Sequence, residues 1–222
     1  VLENTTGGQV LPTAYIAEVE QLARSRGLAL HLDGARLFNA ATANAQTHGT
    51  DVYDEARAIC QHFDTASLCL SKGLGAPVGS LLLGRADLIR QAKRTRKILG
   101  GAMRQCGMLA AAGHHALQHH VRRMADDHAL LRQLADGLAQ AGRDHPVLQG
   151  RLAVASAHTN ILFTDVDAEL APALTAWLAQ HGVRITSSLY GGQTRLRWVA
   201  HLDVGPDDVA QTLDCVHRFK GL

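Results

Sequence analysis

The chain has 222 residues, enough for one large domain or one and a half. Apolar residues make up 46% and aromatics only 4%, so a sizeable core must be built from Leu, Ala and Val. A formal net charge of +2 supplies no whole-chain field for nucleic acid, and neither an uncharged membrane-length window nor a signal peptide is visible. The four cysteines, Cys60, Cys69, Cys106 and Cys215, have no short metal or redox spacing; they fit reduced thiols in the cytoplasm, with Cys69 in the core. Thirteen histidines are unusual for this length, and several cluster as His114-His115, His119-His120 and His128. His115 and His119 have the spacing of metal ligands on one helical face, but no glutamate or cysteine nearby completes a site. They read as solvated helix histidines, and no metal is expected.

In chain order, Leu2 to Thr5 ends a strand and opens the loop Thr6-Gly7-Gly8. Pro12 starts a helix to about Arg26, with Ile16, Val19, Leu22 and Ala23 as its buried stripe and Gly27 as its stop. Leu28 to Leu32 reads as a short buried strand of the parallel kind. It delivers Asp33, followed by glycine, to the end of a strand where α/β sheets bind ligands. Arg36 comes three residues later, close enough to share that site or to pair with Asp33. Asp51 to Gln61 is helical, with Val52, Ala56 and Ile59 on one face.

The apolar runs Ser67–Leu70 and Ser80–Leu83 flank Ser71-Lys72-Gly73-Leu74-Gly75-Ala76-Pro77-Val78-Gly79. This reads as strand, tight turn, strand, with Lys72 at the turn. A lysine amine that is desolvated or set beside another cation becomes a nucleophile able to form a Schiff base. The other reading of Lys72 is an exposed turn residue. Arg85 to Leu99 is a basic helix with a core stripe of Leu88, Ile89 and Ala92. It lacks the interleaved aromatics or motif of a nucleic-acid binder.

Met108 to Ala141 is a long helical stretch in one or two pieces, with Leu117, Val121, Met124, His128, Leu131, Leu134 and Leu138 at helical spacing. Pro146 and Gly150 break it. Beyond lie strands Leu152–Ser156, Asn160–Thr164, Val183–Thr186 and Thr194–Val199, and helices Ala168–His181 and Pro206–Phe219, an α+β pattern. Arg195 and Arg197 alternate with Leu196 and share a strand face.

An aspartate upstream of a Schiff-base lysine suits pyridoxal phosphate (PLP), because the carboxylate keeps the pyridine nitrogen protonated and the ring an electron acceptor. His31-Leu32-Asp33-Gly34-Ala35-Arg36 and the Lys72 turn together resemble the PLP-dependent threonine aldolases, the low-specificity L-threonine and L-allo-threonine enzymes of the aspartate-aminotransferase-like superfamily. The resemblance extends to Leu2-Glu3-Asn4-Thr5, to Arg96 through Gln105, and to Arg197 through Val204, in the family's order. It starts in mid-pattern and leaves out about the first third of such an enzyme, so a fragment is expected.

The resemblance implies an α/β chain of the type I PLP-dependent transferase fold. Residues 1–120 would be part of the large PLP-binding domain, 121–145 a connecting helix, and 146–222 the small α+β C-terminal domain. It implies cleavage of threonine or allo-threonine to glycine and an aldehyde, with Lys72 as the Schiff-base lysine and Asp33 at the ring nitrogen. Arg36 would lie beside the cofactor and the substrate carboxylate, and Arg197 would hold that carboxylate. Lys97 would lie near the site's mouth, and Arg104 would reach across a subunit interface. Asn4 either faces the ring's phenolic oxygen or satisfies loop backbone groups. Phe38 to Thr50, longer than in many relatives, would be a surface or subunit-contact insertion. A homo-oligomer, dimer or tetramer, in the cytoplasm is implied, with an amino acid as the small-molecule partner and neither nucleic acid nor membrane. The alternatives are a β-eliminating lyase or aminotransferase of the same fold, or a non-catalytic fragment.

Overall fold

A computed structural model describes residues 1–221 and divides the chain into two compact units, Val1–Ala125 and a second beginning at Asp126. The first unit holds a four-stranded sheet ordered β1 (Leu2–Glu3), β2 (His31–Asp33), β3 (Thr65–Cys69) and β4 (Ser80–Gly84). The first three strands are parallel, with Glu3 opposite Asp33 and Asp33 opposite Ser67; β4 runs antiparallel to β3. Helices α1 (Thr13–Ser25), α2 (Leu37–His48), α3 (Val52–Cys60), α4 (Ala86–Ile98) and α5 (Gly107–His119) complete this unit.

Local chemistry sets the element ends. Gly27 sits at φ +64°, and the amides of Gly27 and Leu28 reach back to the carbonyls of Arg24 and Ala23, the paired bonds that close a helix on a left-handed glycine. Asp51 caps α3 by accepting the amide of Tyr53 at 2.9 Å. The α3 stripe Val52, Ala56 and Ile59 is buried as its spacing requires.

Several expectations are corrected. Ile16 and Ala23 of α1 are buried, but Leu22 is 58% exposed, at the margin of the stripe. The second strand begins at His31, because the Leu30 amide goes at 2.7 Å to the Asp64 carboxylate, itself gripped by Arg24 at 2.7 Å, instead of to a neighbouring strand. The 38–50 stretch is surface only in part: the first half of α2 buries Leu37, Asn39, Ala40, Ala41 and Thr42, while residues 46–50 are exposed. At the far edge, every residue of β4 is exposed and α4 buries none, so Leu88, Ile89 and Ala92 are only half-buried.

The 108–141 stretch is two helices, α5 and α6 (Met124–Asp144), separated by a turn over 120–123. In the second unit Leu131, Leu134 and Leu138 of α6 pack into a core with Leu162, Val166, Leu174, Leu178, Leu196 and Trp198. Its sheet is antiparallel throughout, ordered β5 (Leu152–Val154), β6 (Ile161–Asp167), β8 (Gln193–Val199) and β7 (Thr186–Tyr190). Helices α7 (Ala171–Gln180) and α8 (Pro206–His217) belong to the same unit. The strand expected at 183–186 lies further on, at Thr186–Tyr190. Gly191 and Gly192, at φ +57° and +80°, form the two-residue turn into β8, with Tyr190 opposite Gln193.

Candidate active site

Parallel pairing of β1, β2 and β3 brings their C-terminal ends to one edge of the sheet. Asn4 follows β1 and donates its amide to the Asp33 carbonyl at 3.1 Å. Asp33 ends β2, half-buried, and its Oδ1 accepts the Ala35 amide at 3.1 Å. Gly34 is needed here for close approach: a Cβ on it would lie 2.6 Å from the Ser67 carbonyl of β3. Lys72 lies three residues beyond β3.

The Lys72 turn is held by its own backbone. Leu70 donates to Gly79 and receives from Ala76, both at 2.9 Å, and Gly75 donates to the Lys72 carbonyl at 2.8 Å. His120 Nδ1 donates to the Leu74 carbonyl at 2.7 Å and ties the turn to the end of α5. The Lys72 side chain is exposed. Strand, turn and strand are therefore arranged around this lysine as the sequence suggests.

Asn4 is fully buried. Its Oδ1 accepts the Leu11 amide at 3.1 Å, which meets the expectation of a loop-satisfying role. Its Nδ2 and the hydroxyl of buried Thr5 have no hydrogen-bond partner among the described residues. A buried donor left unpaired costs about 1–3 kcal/mol, so this edge suits a bound group that offers it an acceptor. The motif marks Asn4, but only the packing shows the unpaired atoms.

Arg36, at the start of α2, is half-buried and lines a tight crevice with Asn39, Cys69, Gly73 and Met124. Cys69, expected in the core, is half-buried at the end of β3 with Sγ 3.5 Å from the Ser71 hydroxyl. Burial raises its thiol, but Ser71, the Lys72 charge and Ser80 outweigh that effect and leave it below its ordinary value.

Lys97 and Arg104 are not drawn into this cluster. Both are exposed, at the end of α4 and in the segment before α5, and neither side chain has a hydrogen-bond or ion-pair partner among the described residues.

In the second unit Arg195 and Arg197 differ in their partners. Arg195 clamps Asp165 with Nε–Oδ1 at 2.7 Å and Nη2–Oδ2 at 2.8 Å, and its guanidinium lies 5.6 Å from the Phe163 ring centre. Hydrogen bonding to Arg195 holds Asp165 below the usual carboxylate range. Arg197, two residues on, is paired through its backbone with β6 and β7, but its side chain has no hydrogen-bond or ion-pair partner among the described residues. It lines a cavity of about 470 Å³ with Arg184, Thr186, His201 and Asp208.

Comparison with known proteins bears on this arrangement. A family model described as beta-eliminating lyase matches residues 1–169. The low specificity L-threonine aldolase of Escherichia coli K12 is 43% identical over 210 residues, which cover 95% of this chain and 56% of that protein. The probable low-specificity L-threonine aldolase 2 of Arabidopsis thaliana is 40% identical over 223 residues, 98% of this chain and 58% of that protein. The chain thus spans little more than half the length of these relatives. A solved putative L-allo-threonine aldolase from Listeria monocytogenes superposes with a TM-score of 0.75 at 18% identity, covering 95% of this chain and 57% of that one.

Proposed function

The chain belongs to the beta-eliminating lyase family, and on that premise we propose that it carries the lysine and aspartate of a PLP-dependent aldolase. The proposed reaction cleaves L-threonine or L-allo-threonine to glycine and an aldehyde. The observation that carries the proposal is the convergence of Asn4, Asp33 and the Lys72 turn at the C-terminal edge of one parallel sheet. An edge of this kind is where α/β proteins bind ligands.

The residues present fit PLP. Lys72 offers an exposed amine for a Schiff base, Asp33 has acceptor capacity beyond its bond to Ala35, and Asn4 Nδ2 is a buried donor suited to the ring's phenolic oxygen. When bound, PLP supplies an electron sink for the carbanion left as the bond to the β-carbon breaks.

The chain's own residues do the rest. Asp33 would hold a proton on the ring nitrogen by charge, as a neutral side chain would not. Lys72 would hold the cofactor through its amine. The family resemblance assigns the substrate carboxylate to Arg197, whose side chain has no partner among the described residues and whose planar two-bond fork suits a carboxylate. Such a grip orients the bond to be broken, and the resemblance gives Arg36 a role beside the cofactor and the same carboxylate. The resemblance gives Lys97 a place near the mouth of the site and Arg104 a reach across the subunit interface of a homo-oligomer. The same reading places the enzyme in the cytoplasm; among the described residues no helix is long and apolar enough to cross a membrane.

Product analysis tests this proposal. With PLP and L-threonine, the protein should release glycine and acetaldehyde in equal amounts. Ammonia with a 2-oxo acid would assign it to β-elimination, and neither product set would remove the catalytic reading.

A further inference from the structure

Helix α5 has two unlike faces. Gly113 and Ala116 are buried, and a Cβ on Gly113 would lie 2.9 Å from Leu70 Cδ1, so this side packs against the end of β3. The other side carries exposed His115 and His119, four residues apart, with ring centres 4.4 Å from each other. The His120 ring meets His115 edge-on at 5.2 Å, but its Nδ1 is committed to the Leu74 carbonyl.

We propose that His115 and His119 form a two-histidine chelate for a first-row transition-metal dication such as Zn²⁺ or Cu²⁺. Residues four apart on a helix lie side by side, about 5–6 Å between Cβ atoms. Two nitrogens on a tetrahedral Zn²⁺, each about 2.0–2.1 Å from it, stand roughly 3.3 Å apart. The ring centres, now 4.4 Å apart with planes inclined at 40°, would open to about 5 Å as both nitrogens turn to one ion, a change that side-chain rotation supplies. The helix holds both donors in register, so little order is lost on binding.

Imidazole favours Zn²⁺, Ni²⁺ and Cu²⁺, whereas Mg²⁺ and Ca²⁺ require oxygen donors. Among the described residues no group of three or more His, Cys, Asp or Glu is arranged around a metal. The chelate therefore stands on two side chains and completes its coordination with water. It lies next to His120, the residue that fastens the Lys72 turn to α5. It rests on α5 alone and is independent of the aldolase reading.

The test is isothermal titration of the untagged protein with Zn²⁺, Cu²⁺ and Mg²⁺. One saturable site is expected for Zn²⁺, tighter for Cu²⁺ and absent for Mg²⁺. His115→Gln or His119→Gln should each weaken Zn²⁺ binding at least about tenfold, or 1.4 kcal/mol. His114→Gln, on the same helix but off the pair, should leave it unchanged. Circular dichroism matched to the parent shows that α5 is intact in each variant. No saturable Zn²⁺ site in the parent, or equal loss in all three variants, overturns the proposal.

Discussion

The two sheets collect polar side chains by different geometry. In the first unit, parallel pairing sends the ends of β1, β2 and β3 to one edge, so residues distant in sequence, Asn4, Asp33 and Lys72, arrive there together. In the second, antiparallel β8 places Arg195 and Arg197 two residues apart on one face, and position alone does not tell them apart. Pairing does: Arg195 is occupied by Asp165, and Arg197 is not. A parallel edge gathers distant residues by backbone topology, whereas on a sheet face the pairing of each side chain with its neighbours sets Arg197 apart from Arg195.

The largest effect should come from the first edge. Lys72→Ala removes the amine proposed to fix the cofactor. Turnover should fall by at least about a thousandfold, because a covalent participant has no substitute. The fold should persist, since the side chain is exposed. A single-turnover assay with added PLP measures this; retained turnover would break the assignment of chemistry to the parallel edge.

Acid should weaken the second unit. His128 of α6 is fully buried, and burial, assisted by the Arg132 charge, lowers its pKa from 6.5 to about 4. Above pH 6.5 the residue is neutral in both the folded and unfolded states. Between pH 6.5 and about 4 the unfolded chain binds a proton that the folded chain refuses, so stability falls as pH drops through that window. The total approaches about 3 kcal/mol. Denaturant unfolding of His128→Gln should show a flatter acid limb than the parent, and an equally steep one would reject the role.

Asp33→Asn should keep PLP bound and lower kcat about a hundredfold, because it removes charge at the ring while leaving shape intact. A rise confined to KM would instead make Asp33 a binding residue and erase the contrast between the two sheets.

The arginine pair gives the smaller effects. Arg197→Lys should cost about ten- to a hundredfold in kcat/KM, nearly as much as Arg197→Ala, since an ammonium does not reproduce a planar fork. Arg195→Ala should leave kcat/KM near the parent value and cost about 1 kcal/mol of stability, because it deprives Asp165 of its clamp. Steady-state kinetics on threonine compares the three, and a crippled Arg195→Ala would reverse the assignment.

Much of this was legible in the sequence where one local signal decides the outcome. Glycines around a lone lysine between apolar runs mark the turn, Gly27 stops α1, and the α3 stripe is buried as spaced. Legibility failed where a distant partner decides. Leu28–Leu30 looks like strand, but Asp64, thirty-four residues away from Leu30, takes the amide. The Ala-rich 38–50 segment has too weak a stripe to reveal that the first half of α2 is core. Gly191-Gly192 is a readable hairpin signal at the end of β7, although 183–186 is the more apolar run. The unpaired atoms of Asn4 and Thr5 and the different partners of Arg195 and Arg197 are properties of packing, which no motif carries.

The most direct measurement is borohydride reduction of the PLP-loaded protein followed by peptide mapping. The chain has four lysines, Lys72, Lys93, Lys97 and Lys220. The pyridoxyl label should appear on the peptide containing Lys72, whereas label on Lys93, Lys97 or Lys220 would contradict the assignment of the reaction centre to the parallel edge.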